Sequence, residues 1–189
     1  GKGSAAFDLA RAGAAVTGID ISQVGIREAE QQAERLGLGQ HLCFRQMNAE
    51  ALDFDDGSFD LVCGSGILHH LDLDQAVAEV VRVLRPGGRA VFFEPLGHNP
   101  CINLYRRLTP AMRSADEHPL CMTDVEQIAR SFDTAQSSFF GLFTLLAAPL
   151  RPRPDSGLLR RLEAIDRGVL RRGWLQRYAW IVVTELTRS

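Results

Sequence analysis

Two adjoining stretches of the chain decide its fold: residues 49–71, AEALDFDDGSFDLVCGSGILHHL, and residues 77–95, VAEVVRVLRPGGRAVFFEP. The first stretch contains a strand-like run at 59–64 that follows an Asp-Asp-Gly turn. The second contains the end of a helix, a Pro-Gly-Gly break and an apolar strand at 89–93. A strand, a helix and a second strand at these lengths predict a βαβ unit, in which the two strands are parallel neighbours.

The same alternation extends over most of the chain. The predicted helices have apolar residues at helical spacing and cover residues 5–12, 23–36, 74–84, 123–131 and 158–170. Ser22 is expected to cap the helix at 23–36. The predicted strands are short and rich in β-branched or aromatic residues, and the remaining ones cover residues 15–20, 42–47, 134–140 and 177–187. This order indicates an α/β fold with a Rossmann-like, doubly wound sheet that helices cover on both faces.

Composition and charge restrict the class of protein. The chain has 189 residues, 46% of them hydrophobic, and a net charge of -2, which fits one domain, 1–189. It is expected to include an irregular lid at 97–122, with one helical turn around 102–108, and a helical insertion at 141–176. Four widely spaced cysteines without a CxxC pair indicate a reduced, cytoplasmic protein with no metal site. Residues 151–189 hold nine basic and four acidic side chains, but the acidic balance elsewhere argues against a nucleic-acid partner.

A second set of residues falls where strands end and helices begin. In open parallel sheets, ligands bind at the carboxyl ends of the strands. Residues 1–6, GKGSAA, match the pattern G-x-G-x-x-A, and Asp20 follows 17 residues after Gly3 at the end of the next predicted strand. Glycines allow backbone N–H groups close to a ligand, and the acid can accept two ribose hydroxyl hydrogens. The pattern predicts an adenosine-containing cofactor without deciding which one.

The ordered motifs GxG, a strand-end Asp, AEALDF, DGSFDLV, HHL and LRPGG resemble class I S-adenosylmethionine-dependent methyltransferases. The resemblance covers about residues 1–96 and is strongest to the small-molecule group that includes the quinone-biosynthesis enzymes. It implies S-adenosylmethionine as the cofactor and a seven-stranded sheet with an antiparallel last strand. In such a sheet the strand before the glycine loop lies at the centre, between the second and fourth strands. That strand is absent from the 189 residues, so we expect the strands that end near Asp20 and Gly64 not to be hydrogen-bonded to each other.

The resemblance also implies roles for individual residues. Those expected to bind the cofactor are Gly1 and Gly3 under the methionine part, Asp20 on the ribose, Ile21 on the adenine ring, Asn48, Ala49 and Glu50 around the adenine edge, and Gly64 facing the methionine group. Many members of the family have Asp where this chain has Asn48. Asn keeps a hydrogen-bond acceptor and adds a donor, so we expect binding to survive this change.

Three histidines are candidates for catalysis by proton transfer. His69 and His70 follow the predicted strand 59–64, and His98 follows Glu94 near the end of the next one. Glu94 itself is expected to be a structural or substrate-positioning carboxylate rather than the base. The expected partner is a small-molecule acceptor, hydrophobic or amphiphilic in character. Peripheral contact with a membrane surface and a homodimer remain open.

Two alternatives to a methyltransferase remain at this point. A nicotinamide-dependent Rossmann oxidoreductase shares the glycine pattern and the ribose-binding acid. A non-catalytic cofactor-binding or interaction domain would need neither an acceptor site nor a base. Titration with adenosyl sulfur compounds and with NADH separates the enzyme classes, because each class binds its own cofactor.

Overall fold

The computed structural model describes residues 4–109, 118–145, 147 and 156–189. The helices in these residues are α1 Ser4–Arg11, α2 Gln23–Arg35, α3 Leu73–Val83, α4 Pro100–Leu108, α5 Met122–Arg130, α6 Gly157–Val169 and α7 Gly173–Gln176. The strands are β1 Val16–Asp20, β2 Leu42–Gln46, β3 Phe59–Ser65, β4 Leu84–Pro95, β5 Thr134–Phe140 and β6 Ile181–Thr187. A 3₁₀ turn, Leu68–His70, lies between β3 and α3. The predicted α/β class is confirmed.

The strands form two separate sheets. β1 and β2 pair in parallel, and the other four pair in the order β3-β4-β6-β5. β3 and β4 are parallel, whereas β6 is antiparallel to both of its neighbours, as predicted for the last strand. In the described residues β1 and β3 are not hydrogen-bonded to each other, as expected if another strand separates them. The existence of that strand stays a prediction.

Local sequence explains where several helices begin. The Ser22 hydroxyl accepts a hydrogen bond from the Gly25 N–H at 3.2 Å, which caps α2 as predicted. The side chain of Asp72 caps α3 in the same way, and Asn99 caps α4 just before a proline at the first helical position. These caps determine where each helix starts relative to the strand before it.

Two hydrophobic cores accompany the two sheets. α3 and α5 cover one face of the four-stranded sheet, where Val80 and Ile128 pack with Phe92 and Leu186. The smaller core lies beside β1 and β2 and has as its buried members Phe7, Ala10, Ala33 and Leu42. On the opposite face of the larger sheet, Leu61 and Phe93 are 38% and 45% exposed. The expected helical cover on both faces is therefore not complete in the described residues.

Several predicted boundaries differ from the observed ones. The lid predicted at 97–122 contains a nine-residue helix, α4, because Asn99 and Pro100 start it; residues 110–117 lie outside the described residues. α5 begins one residue before the predicted Thr123, with Cys121 as its cap. β6 begins at Ile181 rather than 177, because the preceding residues form a turn after α7. Of the insertion at 141–176, residues 146 and 148–155 lie outside the described residues.

None of the helices in the described ranges is both long enough and apolar enough to cross a bilayer.

Candidate active site

The carboxyl end of β1 presents Asp20 and Ile21. Asp20 Oδ1 accepts a hydrogen bond from the Ser22 N–H at 2.8 Å, so its carboxylate lies at the N-terminus of α2. Gln46 at the end of β2 donates to the Ile21 carbonyl at 3.0 Å, which leaves the Ile21 side chain pointing outward and 72% exposed. A carboxylate beside an exposed apolar side chain suits a ribose that carries an adenine ring.

The turn after β2 contains Asn48, Ala49 and Glu50. Asn48 Oδ1 accepts from the Glu50 N–H at 3.0 Å, which closes a tight turn. Glu50 Oε1 accepts from the Asp72 N–H at 2.7 Å and so attaches this turn to the start of α3. The Glu50 carboxylate therefore binds the backbone at the start of α3. The adenine-edge roles of all three residues stay predictions.

The end of β3 requires glycine for two different reasons. A Cβ on Gly64 would lie 2.8 Å from Ile67 Cγ2 and 2.9 Å from Phe92 Cδ1, so the space for a side chain is already filled. Gly66 has a φ of +63°, in the left-handed region that favours glycine. Gly64 thus occupies the strand end that the resemblance assigns to the methionine group. Gly1 and Gly3, the other predicted glycines, lie outside the described residues.

Glu94 and His69 form a buried pair at the adjacent strand end. Glu94 Oε2 lies 2.7 Å from His69 Nδ1, and the two side chains are 1% and 7% exposed. Glu94 Oε1 accepts from the N–H groups of Ile67 and Leu68 at 2.9 and 3.0 Å. The sequence identified both residues as candidates for the site, but it did not pair them.

The other two candidate histidines differ from His69. The ring of His70 lies against that of His69, with centroids 4.1 Å apart, and is exposed. His98 Nε2 accepts a hydrogen bond from the Met122 N–H at 3.3 Å and so contacts the first residue of α5. Among the three histidines, His69 alone has a described carboxylate partner within hydrogen-bonding distance.

A cavity of about 380 Å³ adjoins this pair. It lies between the 3₁₀ turn, the N-terminal end of α3, the segment 118–120 and α5, and its lining includes His69, His70, His118 and Asp124. The His118 N–H donates to the His69 carbonyl at 3.0 Å, which holds this segment against the turn. The arrangement provides an acid-base group beside a space that can hold a small molecule.

One cluster that the sequence did not indicate supports the site from a distance. Arg82 on α3 donates to Glu79, to Asp56 and to the carbonyls of Leu52 and Phe54. The hydrogen bond from Arg82 is the main cause that lowers the pKa of Glu79, and the Glu79 and Asp56 carboxylates raise the pKa of Arg82. This cluster holds the segment between β2 and β3 against α3.

Comparison with known proteins identifies the class. The family model described as "Methyltransferase domain" matches residues 1–92. The ubiquinone/menaquinone biosynthesis C-methyltransferase of Hahella chejuensis is 43% identical over 76 residues, which are 40% of this chain and 30% of that protein. The 27-O-demethylrifamycin SV methyltransferase of Amycolatopsis mediterranei is 36% identical over 91 residues, which are 47% of this chain and 34% of that protein. The chain thus spans about a third of the length of these relatives.

Solved structures agree on the fold. The geranyl diphosphate C-methyltransferase from Streptomyces coelicolor A3(2), in complex with Mg2+, geranyl diphosphate and S-adenosyl-L-homocysteine, aligns with a TM-score of 0.70 at 16% identity, over 100% of this chain and 70% of that one. An S-adenosylmethionine-dependent methyltransferase from Methanosarcina mazei aligns with a TM-score of 0.65 at 22% identity. The alignment covers 100% of this chain and 88% of that one.

Fold, motifs and relatives therefore agree on one class of enzyme. Residues 1–92 are similar to a methyltransferase domain, and the similar proteins are S-adenosylmethionine-dependent methyltransferases that include quinone-biosynthesis enzymes. This supports the family that the sequence motifs resemble. It also favours that class over the nicotinamide-dependent oxidoreductase.

Proposed function

We propose that the protein transfers a methyl group from S-adenosylmethionine to a small, hydrophobic or amphiphilic acceptor. The observation that carries this proposal is the row of groups at the strand ends. Asp20 and Ile21 at β1 suit an adenosine, and the Glu94–His69 pair at the neighbouring sheet suits removal of a proton. Such an enzyme needs alignment of its reactants and exclusion of water, and it needs no covalent intermediate.

The cofactor fits the residues that the structure describes. When bound, S-adenosylmethionine supplies a methyl group on a positively charged sulfur, which makes the methyl carbon electrophilic. Asp20 accepts the ribose hydroxyls, and the exposed Ile21 side chain packs on the adenine ring. Gly64 lies at the strand end that the resemblance assigns to the methionine end, and the side chains of Ile67 and Phe92 fill the space that a side chain at this position would need. The contribution of Gly1 and Gly3 stays a prediction.

His69 is the residue that we assign to proton transfer. The bound cofactor would supply its methyl group to the acceptor atom, and its sulfur would keep the electron pair of the broken carbon–sulfur bond. The acceptor atom loses a proton, which His69 receives. His70 is exposed and has no described carboxylate partner, and the Nε2 atom of His98 already accepts a hydrogen bond from the Met122 N–H, so neither is as well placed for this role.

Two exposed segments near the site support the proposed acceptor class. The Asn99 side chain donates to the Tyr178 carbonyl at 2.6 Å, so the start of α4 lies beside the segment that follows α7. Leu104 and Leu108 of α4 are 59% and 72% exposed, and Trp174 of α7 is 68% exposed. Two relatives act, by their names, on a quinone precursor and on geranyl diphosphate, both of which carry apolar chains or rings.

Cofactor binding is tested by calorimetric titration of the chain with S-adenosylhomocysteine, S-adenosylmethionine and NADH. We expect heat of binding with both adenosyl sulfur compounds and none with NADH. Binding of NADH without a response to either sulfur compound would overturn the proposal in favour of an oxidoreductase.

Methyl transfer is tested with S-adenosylmethionine that carries a radioactive methyl group. A prenylated quinol and geranyl diphosphate serve as acceptors, and glycine serves as a polar control. We expect label in an organic-solvent extract or a diphosphate product, and no labelled glycine derivative. Binding of S-adenosylhomocysteine with no transfer to any acceptor would instead support a cofactor-binding domain without activity.

Contact with a membrane is tested separately, by flotation with vesicles of phosphatidylglycerol and of phosphatidylcholine. Arg106 and Arg107 lie beside the exposed leucines of α4, so we expect binding to the anionic vesicles only. Equal recovery with both vesicle types would exclude an electrostatic contribution. Sedimentation of the same sample measures whether the chain forms a homodimer.

A further inference from the structure

We infer that Glu94 is the positioning residue of this site. It holds the His69 ring in one orientation and one tautomer, so that the second ring nitrogen, Nε2, receives the proton of the acceptor. The inference rests on the proposed function, since it assigns a residue to the same reaction. From the sequence, Glu94 is expected to be a structural or substrate-positioning carboxylate; the inference assigns it instead the positioning of His69.

The hydrogen bonds of Glu94 determine which ring nitrogen carries the proton. An ionised carboxylate only accepts hydrogen bonds. Two of the three partners of Glu94 are backbone N–H donors, and the third, His69 Nδ1, is a donor when it carries a hydrogen. Two backbone N–H groups occupy Oε1, so Oε2 is left for His69 Nδ1. Nδ1 must therefore carry the hydrogen, and in the neutral ring Nε2 then holds the lone pair. A lone pair at Nε2 is what a general base needs.

The strand register explains why this pair forms. β3 and β4 are parallel neighbours, and Ser65 pairs with Phe93. The Gly66 N–H also donates to the Phe93 carbonyl at 2.8 Å, which turns the chain across the end of β4. This turn brings Ile67, Leu68 and His69 over the next residue of β4, Glu94. The Glu94 carboxylate thus anchors this turn and also orients the His69 ring.

The surroundings of the ring leave Nε2 accessible. Within the described residues, the His69 ring makes its hydrogen bond through Nδ1, and no fully buried side-chain nitrogen or oxygen lacks a partner. Cε1, the carbon between the two nitrogens, lies 3.7 Å from the position of a Cβ on Gly66. The Cε1 side of the ring therefore faces Gly66, the residue directly after β3. His70, His118 and Asp124 are the other titratable residues that line the adjoining cavity.

Glu94 also stabilises the product of proton transfer. When Nε2 receives a proton the ring becomes positively charged, and the buried carboxylate 2.7 Å from Nδ1 lowers the free energy of that charge. Without the carboxylate the same charge would form in a site that is largely removed from water. A neutral amide at position 94 can keep the backbone hydrogen bonds but cannot supply this stabilisation.

The tautomer is tested by NMR on protein labelled with ¹⁵N-histidine. We expect wild-type His69 to be protonated at Nδ1 near neutral pH, with its signals assigned by their loss in His69→Asn. In Glu94→Gln the side-chain NH₂ faces Nδ1 while the carbonyl oxygen keeps the backbone donors, so the proton is expected to move to Nε2. A wild-type ring protonated only at Nε2 would overturn the inference, and this measurement needs no variant of Glu94.

The positioning role is tested by kinetics and by a matched control. We expect Glu94→Gln to lower kcat about 100-fold or more, with affinity for S-adenosylhomocysteine changed less than twofold. Asp166→Asn is the control, because Asp166 is also buried and accepts three backbone N–H groups and a hydroxyl, but has no histidine partner. It should change stability while leaving kcat and the His69 tautomer unaltered.

Three outcomes separate the two proposals. A wild-type chain that binds no adenosyl compound and transfers no methyl group overturns the proposed function and, with it, the inference. An active wild-type chain with full activity in Glu94→Gln overturns the inference alone. If Glu94→Gln does not fold, His69→Asn decides: it should lose at least as much kcat as expected for Glu94→Gln, and full activity would refute the role of the pair.

Discussion

The two sheets contribute different parts of the site and differ in how firmly they are packed. Among the described residues, the four-stranded sheet belongs to a cluster of 16 buried hydrophobic side chains, whereas the β1–β2 sheet belongs to a cluster of four. The larger sheet carries the Glu94–His69 pair, and the smaller one carries Asp20 and Ile21. Groups that must hold a proton-transfer geometry thus lie on the rigid part. Groups that only bind a ligand lie on the part with less core.

The connection between the two sheets is polar in the described residues. The Arg82 cluster holds the chain between β2 and β3 on α3, and Glu50 attaches the turn after β2 to the Asp72 N–H. Hydrogen bonds and partly exposed ion pairs contribute little net stability compared with a hydrophobic core. We therefore expect the smaller sheet to unfold more easily than the larger one.

The largest effect is expected from shortening a leucine in the larger core. Leu186→Ala should lower the free energy of unfolding by about 3 kcal/mol, because Leu186 is 1% exposed and its loss leaves a cavity. The same substitution at Leu42, in the four-residue cluster, should cost about 1–2 kcal/mol, since fewer neighbours lose contacts there. Urea titration of both variants measures the difference. An equal or larger loss for Leu42→Ala would refute the proposed difference between the two sheets.

The second-largest effect is expected on the affinity for the cofactor product rather than on the stability of the fold. Asp20→Asn should weaken binding of S-adenosylhomocysteine about tenfold, because the amide removes one of two acceptors for the ribose hydroxyls and the negative charge. The urea midpoint of the unliganded protein should change little. Asp8→Asn is the control, since Asp8 is an exposed residue of α1 that pairs with Arg11. Undiminished affinity in Asp20→Asn would contradict the role of β1 in binding adenosine.

The smallest effect is a pH dependence at the connection between the sheets. The hydrogen bond from Arg82 holds the pKa of Glu79 below its ordinary value of 4.5. Glu79 therefore stabilises the fold above pH 4.5 and loses that contribution as the pH falls through 4.5 and then through the lowered pKa. Glu79→Gln should reduce stability at pH 7 and have less effect at pH 3. Similar losses of stability at pH 7 and at pH 3 for Glu79→Gln would contradict the assignment.

Short-range signals in the sequence predicted most elements, but not all of their boundaries. Ser22 was predicted to cap α2 and does so, because a cap depends on residues three positions apart. The start of β6 was predicted four residues early, since the apolar run around Trp180 is typical of a strand. In the structure the Tyr178 and Ala179 N–H groups instead donate to carbonyls of the α7 region and form a turn. Whether these residues form a strand or a turn depends on their neighbours in space.

In the site, too, short-range sequence signals predicted the candidate residues but not their contacts in space. The sequence identified His69, His70 and His98 as equivalent candidates, because all three follow strand ends. Their environments separate them: His69 meets Glu94, His70 is exposed, and His98 accepts a hydrogen bond from α5. None of these contacts can be read from spacing alone, since Glu94 lies 25 positions away from His69.

By itself, the sequence determined the class of fold, the order of helices and strands, and the resemblance to a family, because glycine turns, helix caps and apolar spacing act over a few residues. Only the tertiary structure decided how the strands pair in the order β3-β4-β6-β5 and that Glu94 faces His69 Nδ1. The physical reason is that both features depend on the register of the strands and on burial. These properties arise when distant parts of the chain pack together.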